Sequence, residues 1–170
     1  MINLSLIRHA KANWVDYDGN DLNRSISDIG KDNTLRISNF LKKKNFFCEE
    51  IFCSPAKRTK QTKDILIESL QINPTIRFIE ELYHSSRKNI FDTLMLEAEK
   101  KNILIISHEP LLSESIENFF FGMHNNDYIR KAISNFSTSS FLNMSFNCDM
   151  WSEINIQNCK VNYFVTPDEL

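Results

Sequence analysis

The sequence predicts a single α/β domain over residues 1–170, built as a three-layer α/β/α sandwich with a mainly parallel central sheet. Three observations carry that expectation. The chain has 170 residues, 42% of them apolar, which suits one domain with a sizeable core. Strand-like and helix-like segments alternate along it, with no repeat, low-complexity tract or linker. Ile103-Leu104-Ile105-Ile106 is an unbroken apolar run, the pattern of a central strand covered on both faces.

The elements follow in order. Ile2 to Ile7 alternates apolar and polar residues and stops at Arg8-His9, so it reads as a strand running into a loop. A polar stretch from Asp16 to Arg24 follows, with Gly19-Asn20 as a turn signal. Ser27 can cap a helix whose apolar face is Ile29, Ile37, Phe40 and Leu41 and which ends near Lys42-Lys43-Lys44. Ile51-Phe52-Cys53 is a short strand. Ser54-Pro55 then reads as an N-cap with Pro at the first helical position, opening a helix through Ile65, Leu66 and Leu70.

Thr75 to Ile79 is a further strand. A helix over Lys88 to Lys100 carries Ile90, Phe91, Leu94, Met95 and Ala98. After the central strand, a helix is expected beyond Pro110, with Leu111, Leu112, Ile116 and Phe119 inward. Ser139 to Phe146 and Trp151 to Ile156 alternate like the arms of a hairpin, with Asn147-Cys148-Asp149 as its turn. Phe119-Phe120-Phe121 cannot all face inward on one helix, so at least one should be exposed.

Charge and composition exclude several classes. Lys plus Arg is 20 and Asp plus Glu is 22, a net −2, which leaves no broad electrostatic footprint for nucleic acid or a membrane. No apolar run is long enough to span a bilayer. The N-terminus lacks a basic n-region and a small-residue cleavage site, so it reads as a strand and the expected location is cytoplasmic. Cys48, Cys53, Cys148 and Cys159 form neither a CxxC pair nor a zinc-type spacing, and read as free thiols with no metal.

Three strands end in reactive or anion-binding residues: the first at Arg8-His9, the second at Ser54-Pro55-Ala56-Lys57-Arg58, the central one at Ser107-His108. In open α/β sheets, ligands bind beyond the carboxyl ends of the strands. Were these three strands parallel neighbours, two Arg and two His would converge. Arg presents a planar fork that pairs two phosphate oxygens at once. A His neutral on its attacking nitrogen can displace a leaving group, and a second, protonated His can offset the charge that builds. A carboxylate could protonate the leaving group and later activate water.

These residues resemble a known family. Leu6-Ile7-Arg8-His9-Ala10 looks like the Arg-His-Gly signature of the histidine phosphatase superfamily, the phosphoglycerate mutase-like proteins. Ser54-Pro55-Ala56-Lys57-Arg58-Thr59-Lys60-Gln61-Thr62 resembles its S-P-x-x-R-x-x-Q-T segment, and Ile105-Ile106-Ser107-His108-Glu109-Pro110 its second histidine segment. The Arg-His-Ala-Lys…Trp start, the short length, and Asn23-Arg24-Ser25-Ile26-Ser27-Asp28-Ile29-Gly30 are most similar to SixA-type phosphohistidine phosphatases.

The resemblance implies a single phosphoglycerate mutase-like domain over 1–170 with no cofactor. It implies His9 as the phosphorylated nucleophile, Arg8 and Arg58 as phosphoryl ligands and His108 as the charge-stabilising histidine. Glu81, in preference to Glu80, falls where the family places its acid. Arg24 and Ser107 fall at the rim of the site or just behind it, as substrate-binding candidates. His84 and His124 read as surface residues.

Some positions depart from the family pattern. Ala10 replaces the usual Gly, Lys11 stands where mutases carry an acid, and Val15 stands where they carry an Asn, leaving Asn13 as the available substitute. The long insertions that build a sugar-phosphate pocket in the mutases are absent. These departures imply a phosphatase with an open site, acting on a phosphorylated protein, with phosphohistidine first, or on a small phosphorylated metabolite. A phosphate-binding module without turnover is the alternative of another class.

Overall fold

The computed structural model describes residues 1–15, 17–83, 89–122 and 125–170. Among the described residues, six strands form one sheet: β1 (Ile2–Arg8), β2 (Glu50–Cys53), β3 (Thr75–Phe78), β4 (Asn102–Ser107), β5 (Phe141–Phe146) and β6 (Cys159–Val165). Their order is β3-β2-β4-β1-β5-β6, with the first four mutually parallel and β5 and β6 antiparallel. Among the described residues the α-helices are α1 (Asp28–Lys43), α2 (Lys57–Leu70), α3 (Ile90–Glu97), α4 (Leu111–Phe119) and α5 (Asp127–Ser134).

Strand periodicity explains the three layers. Successive side chains of a strand point to opposite faces. Ile103 and Ile105 of β4, with Leu4 and Leu6 of β1, enter one core with α3, α4 and α5. Leu104 and Ile106, with Ile7, enter a second core against Ile37 and Leu41 of α1 and Leu66 of α2. The unbroken apolar run of β4 is thus apolar because both of its faces are covered, and all four residues are at most 1% exposed. No helix among the described residues is long and apolar enough to cross a membrane.

Several local expectations hold. The Ser27 side chain accepts from Gly30 N–H at the start of α1. Lys42 and Lys43 fill its last turn, where they complement the helix dipole. Phe120 is 5% exposed and Phe121 84%, as a run of three aromatics requires. The four cysteines are free; burial pushes the thiols of Cys48, Cys53 and Cys159 up to about 12.

Other expectations are corrected. Ile29 is 59% exposed and Met95 46%, so neither belongs to its helix's inner face. Ser54 does not cap α2. The cap position is Ala56, with no side-chain bond, and the Ser54 hydroxyl is engaged elsewhere. The second hairpin arm is β6, not Trp151–Ile156. Trp151 is buried and its indole N–H donates to Lys100 O, while Glu153 Oε2 accepts from the N–H of Asp149 and Met150. Those contacts wind Trp151–Glu153 into a short 3₁₀ turn. The helix α3 starts at Ile90; Lys88, His84 and His124 lie outside the described residues.

Candidate active site

The parallel register brings the candidate residues together. Arg8 pairs with Ser107 across β1 and β4, and Cys53 with Ile106 across β2 and β4. His9 and His108, each one residue beyond a strand end, therefore lie side by side, with ring centroids 4.8 Å apart. His9 N–H donates to Ser107 O at 3.0 Å and Ser54 N–H to Ile106 O at 3.0 Å, extending both ladders past the strands. A cavity of about 390 Å³ opens there, lined by Arg8, His9, Lys11, Ala12, Trp14, Arg24, Arg58, His108, Glu109 and Thr138. Four of these are cations and one is a carboxylate, so the cavity favours an anion.

The tautomer of His9 follows from its neighbours. Nδ1 lies 2.8 Å from the carbonyl of Ala10, which can only accept, so Nδ1 carries the proton. Nε2 then keeps its lone pair, and Arg58 Nε–H donates to it at 3.3 Å. His9 is 8% exposed. Burial pulls its pKa down to about 3; the Ala10 contact opposes this, and Arg58, Arg8 and Arg24 add to it. The ring is neutral at physiological pH, with a nucleophilic nitrogen in the cavity.

His108 is held by the same logic. A guanidinium offers no acceptor, so Arg58 Nη2 donates to Nδ1 at 3.1 Å. Nε2–H then donates to Ser54 Oγ at 2.7 Å. Burial, followed by the neighbouring His9 and Arg58, lowers its pKa to about 2. The expectation of a protonated second histidine is corrected accordingly: His108 is neutral, and positive charge on it has to come with a bound anion.

Arg58 is the hub. Besides both histidines it reaches Asp21, with Nη1 donating to the backbone O at 2.7 Å and Nη2 to Oδ2 at 2.8 Å. Asp21 also accepts from Arg24 Nη1 at 3.0 Å and from the Tyr83 hydroxyl at 3.0 Å. Its partial burial would raise its pKa, but the bonds from Arg24, Tyr83 and Arg58 prevail and hold it at about 2. Arg8 donates from Nη1 to Phe136 O at 3.0 Å, and its buried Nε has no partner among the described residues. Burial lowers its pKa, Glu109 opposes that, and Arg58 adds to the lowering.

The rest of the S-P-x-x-R-x-x-Q-T segment supports this frame. Ala10 N–H donates to Thr62 Oγ1 at 2.9 Å and Ile26 N–H to Gln61 Oε1 at 2.9 Å, pinning both active-site loops to α2. A Cβ on Gly30 would meet Lys11 O at 2.4 Å, so only glycine lets α1 close on the loop that follows His9.

The remaining candidates take different places. Arg24 lines the cavity and stacks its guanidinium 3.5 Å over the Trp14 ring. Asn13 does not line it; its Oδ1 accepts from Val15 N–H in a local turn. Ser107 is fully buried and donates to Leu82 O at 2.8 Å, so it serves the fold and not a substrate. Glu81 sits in the short turn Glu80–Leu82, half-buried, outside the set lining the cavity. Among the described residues the carboxylate that does line it is Glu109, which, like Asp21 beside Arg58, no local sequence pattern singles out.

The depressed histidines have a measurable consequence. Unfolded, each imidazole takes up a proton as pH falls through about 6.5; folded, they resist until about 3 and about 2. The unfolded state therefore binds more protons in that window. Stability is full above pH 6.5 and declines as pH falls toward 3, by up to about 1.4 kcal/mol per pH unit for each histidine. Urea midpoints from pH 7 to pH 4 should fall less steeply for His108→Asn than for the wild type. Parallel falls would refute the depressed values.

Residues 4–83 match the sequence model of the histidine phosphatase superfamily (branch 1), a segment that includes Arg8, His9 and Arg58. No curated protein is matched by the sequence. The fold resembles a SixA of Agrobacterium tumefaciens, described as a phosphohistidine phosphatase, at 20% identity over 98% of both chains with a TM-score of 0.75. It resembles equally the protein histidine phosphatase SixA complexed with tungstate, at 21% identity over 99% of both chains and a TM-score of 0.75. A mycobacterial glucosyl-3-phosphoglycerate phosphatase is similar at 12% identity, covering 95% of this chain and 97% of its own, with a TM-score of 0.60. At these identities the likeness establishes a phosphoglycerate mutase-like fold.

Proposed function

We propose that this chain, a member of the histidine phosphatase superfamily, removes phosphate from protein phosphohistidine by way of a covalent intermediate on His9. One observation carries the reading: His9 Nε2 keeps a lone pair beside Arg58, in a cavity where the buried Nε of Arg8 has no partner. A phosphoryl dianion satisfies both needs. Arg8, Arg58 and Arg24 ligate its oxygens, and Nε2 attacks phosphorus in line with the leaving group.

The incoming charge raises the pKa of both histidines. A proton gained by His108 then offsets negative charge on the equatorial oxygens. Water attacks the phosphohistidine in a second step and regenerates neutral His9. Ser54 and Ala10 hold the two imidazoles in the tautomers these steps need.

An exposed rim supports a protein substrate. Trp14 is 67% and Val15 87% exposed, and Trp14 lines the cavity mouth. A phosphorylated side chain on a partner surface can reach His9 past such a rim. The cavity volume, about 390 Å³, also suits a compact metabolite, and a small-molecule phosphatase of the same chemistry is the second reading.

Phosphate release from a phosphohistidine-bearing protein, measured in EDTA, distinguishes these readings and tests the expected independence of metal. Turnover ranks this substrate class first. Turnover on an aryl phosphate alone keeps the chemistry and discards the substrate. No turnover on either leaves a binding module.

A further inference from the structure

We infer that Glu109 is the proton donor to the leaving group and, in the second step, the base that activates water. The inference rests on the phosphatase reading above and replaces Glu81 in that role.

Among the described residues Glu109 is the one carboxylate lining the cavity that holds His9, Arg8 and His108. It follows His108 directly in the chain, so the strand that delivers one catalytic side chain delivers the other. Its orientation is fixed at the start of α4: Oε1 accepts from Ser113 N–H at 3.2 Å and Oε2 from the Ser113 hydroxyl at 2.5 Å.

Its surroundings favour the protonated form. Burial raises its pKa above the ordinary carboxylate value, the two Ser113 bonds and Arg8 oppose this, and Glu114 reinforces it. A phosphoryl dianion bound beside it pushes in the same direction as burial.

The chemistry balances. In the first step the Nε2 lone pair of His9 forms a bond to phosphorus. The bond from phosphorus to the leaving nitrogen or oxygen breaks, and the Glu109 carboxyl proton goes to that atom. In the second step a water oxygen attacks phosphorus while its proton passes to the Glu109 carboxylate. The electron pair of the P–N bond returns to His9, giving inorganic phosphate and the original enzyme.

A purely structural role is the competing account, since Ser113 N–H is a free donor in the first turn of α4 and Glu109 caps it. Leaving-group dependence separates the two. Glu109→Gln keeps the size of the side chain and an oxygen to accept from Ser113. With p-nitrophenyl phosphate, whose leaving group needs no proton, the variant should give a nitrophenolate burst at near wild-type rate and then slow turnover. With phenyl phosphate or an alkyl phosphate its phosphorylation rate should drop by about 10²–10⁴-fold.

A loss equal across all leaving groups, or no loss, overturns the assignment while His9-dependent turnover stands. Absence of turnover in the wild type overturns the phosphatase reading as well. Should Glu109→Gln fail to fold, Ser113→Ala serves instead: removing the hydroxyl bond to Oε2, which stabilises the carboxylate, should move the alkaline limb of kcat to higher pH. An unmoved limb overturns the assignment.

Discussion

Replacing His9 by alanine lowers turnover by on the order of 10⁴-fold or more, on every substrate the wild type accepts, with little change in melting temperature. The size follows from the role. When a covalent nucleophile is removed, only charge stabilisation and binding by the remaining groups are left. Alanine also frees Arg58 Nε and the Ala10 carbonyl, each of which can turn to water in the open cavity. Binding should persist, because Arg8, Arg24 and Arg58 remain. Tungstate or inorganic phosphate should bind the variant within about tenfold of wild type, that is, within about 1.4 kcal/mol. A variant that keeps more than a tenth of wild-type turnover would remove His9 from the chemistry.

Arg58→Ala is the second large effect, a loss of about 10³-fold in kcat/KM. Arg58 does more than hold phosphate. Its guanidinium touches His9 Nε2, His108 Nδ1 and two atoms of Asp21, and so sets the spacing of the two imidazoles. Truncation also leaves Asp21 facing Tyr83 and Arg24 alone, so the turn Asp21–Asn23 should loosen from α2. Arg58→Lys should recover little, since an ammonium cannot span three partners from one rigid plane. Recovery to within tenfold of wild type would show that only the charge matters. His9→Ala and Arg58→Ala combined should lose less than the sum of their separate losses, because the two side chains act as a unit.

Much of this site is legible in the sequence, for a definable reason. Parallel strands place their carboxyl ends at one edge, so residues just past β1, β2 and β4 had to meet if those strands were neighbours. The register Arg8–Ser107 turns that expectation into two imidazoles in contact. The three-layer fold was equally legible, because the apolar run of β4 has no polar face to offer water.

What escaped depends on contacts that no local pattern carries. Asp21 sits in a polar loop, and only the folded path of that loop sets it against Arg58. Ser54 looks like a helix cap by its neighbours, yet its hydroxyl is drawn to His108. Trp151–Ile156 alternates as well as any strand, but the Trp151 indole finds Lys100 O and the Glu153 carboxylate closes a turn. Glu81 matches a family position by spacing, whereas the carboxylate at the cavity follows the second histidine. For Asp21, Ser54 and Trp151 a hydrogen bond across long sequence separation outweighed a local preference.

The central claim is covalent catalysis at His9 Nε2, and trapping the intermediate tests it most directly. Enzyme mixed with radiolabelled substrate, denatured in alkali within milliseconds and digested, should give one labelled peptide containing His9, with phosphorus on Nε2 by magnetic resonance. The label should be stable in base and lost in acid, and absent from His9→Ala. Turnover with no trapped label, or label on Nδ1 or on another residue, would contradict the account.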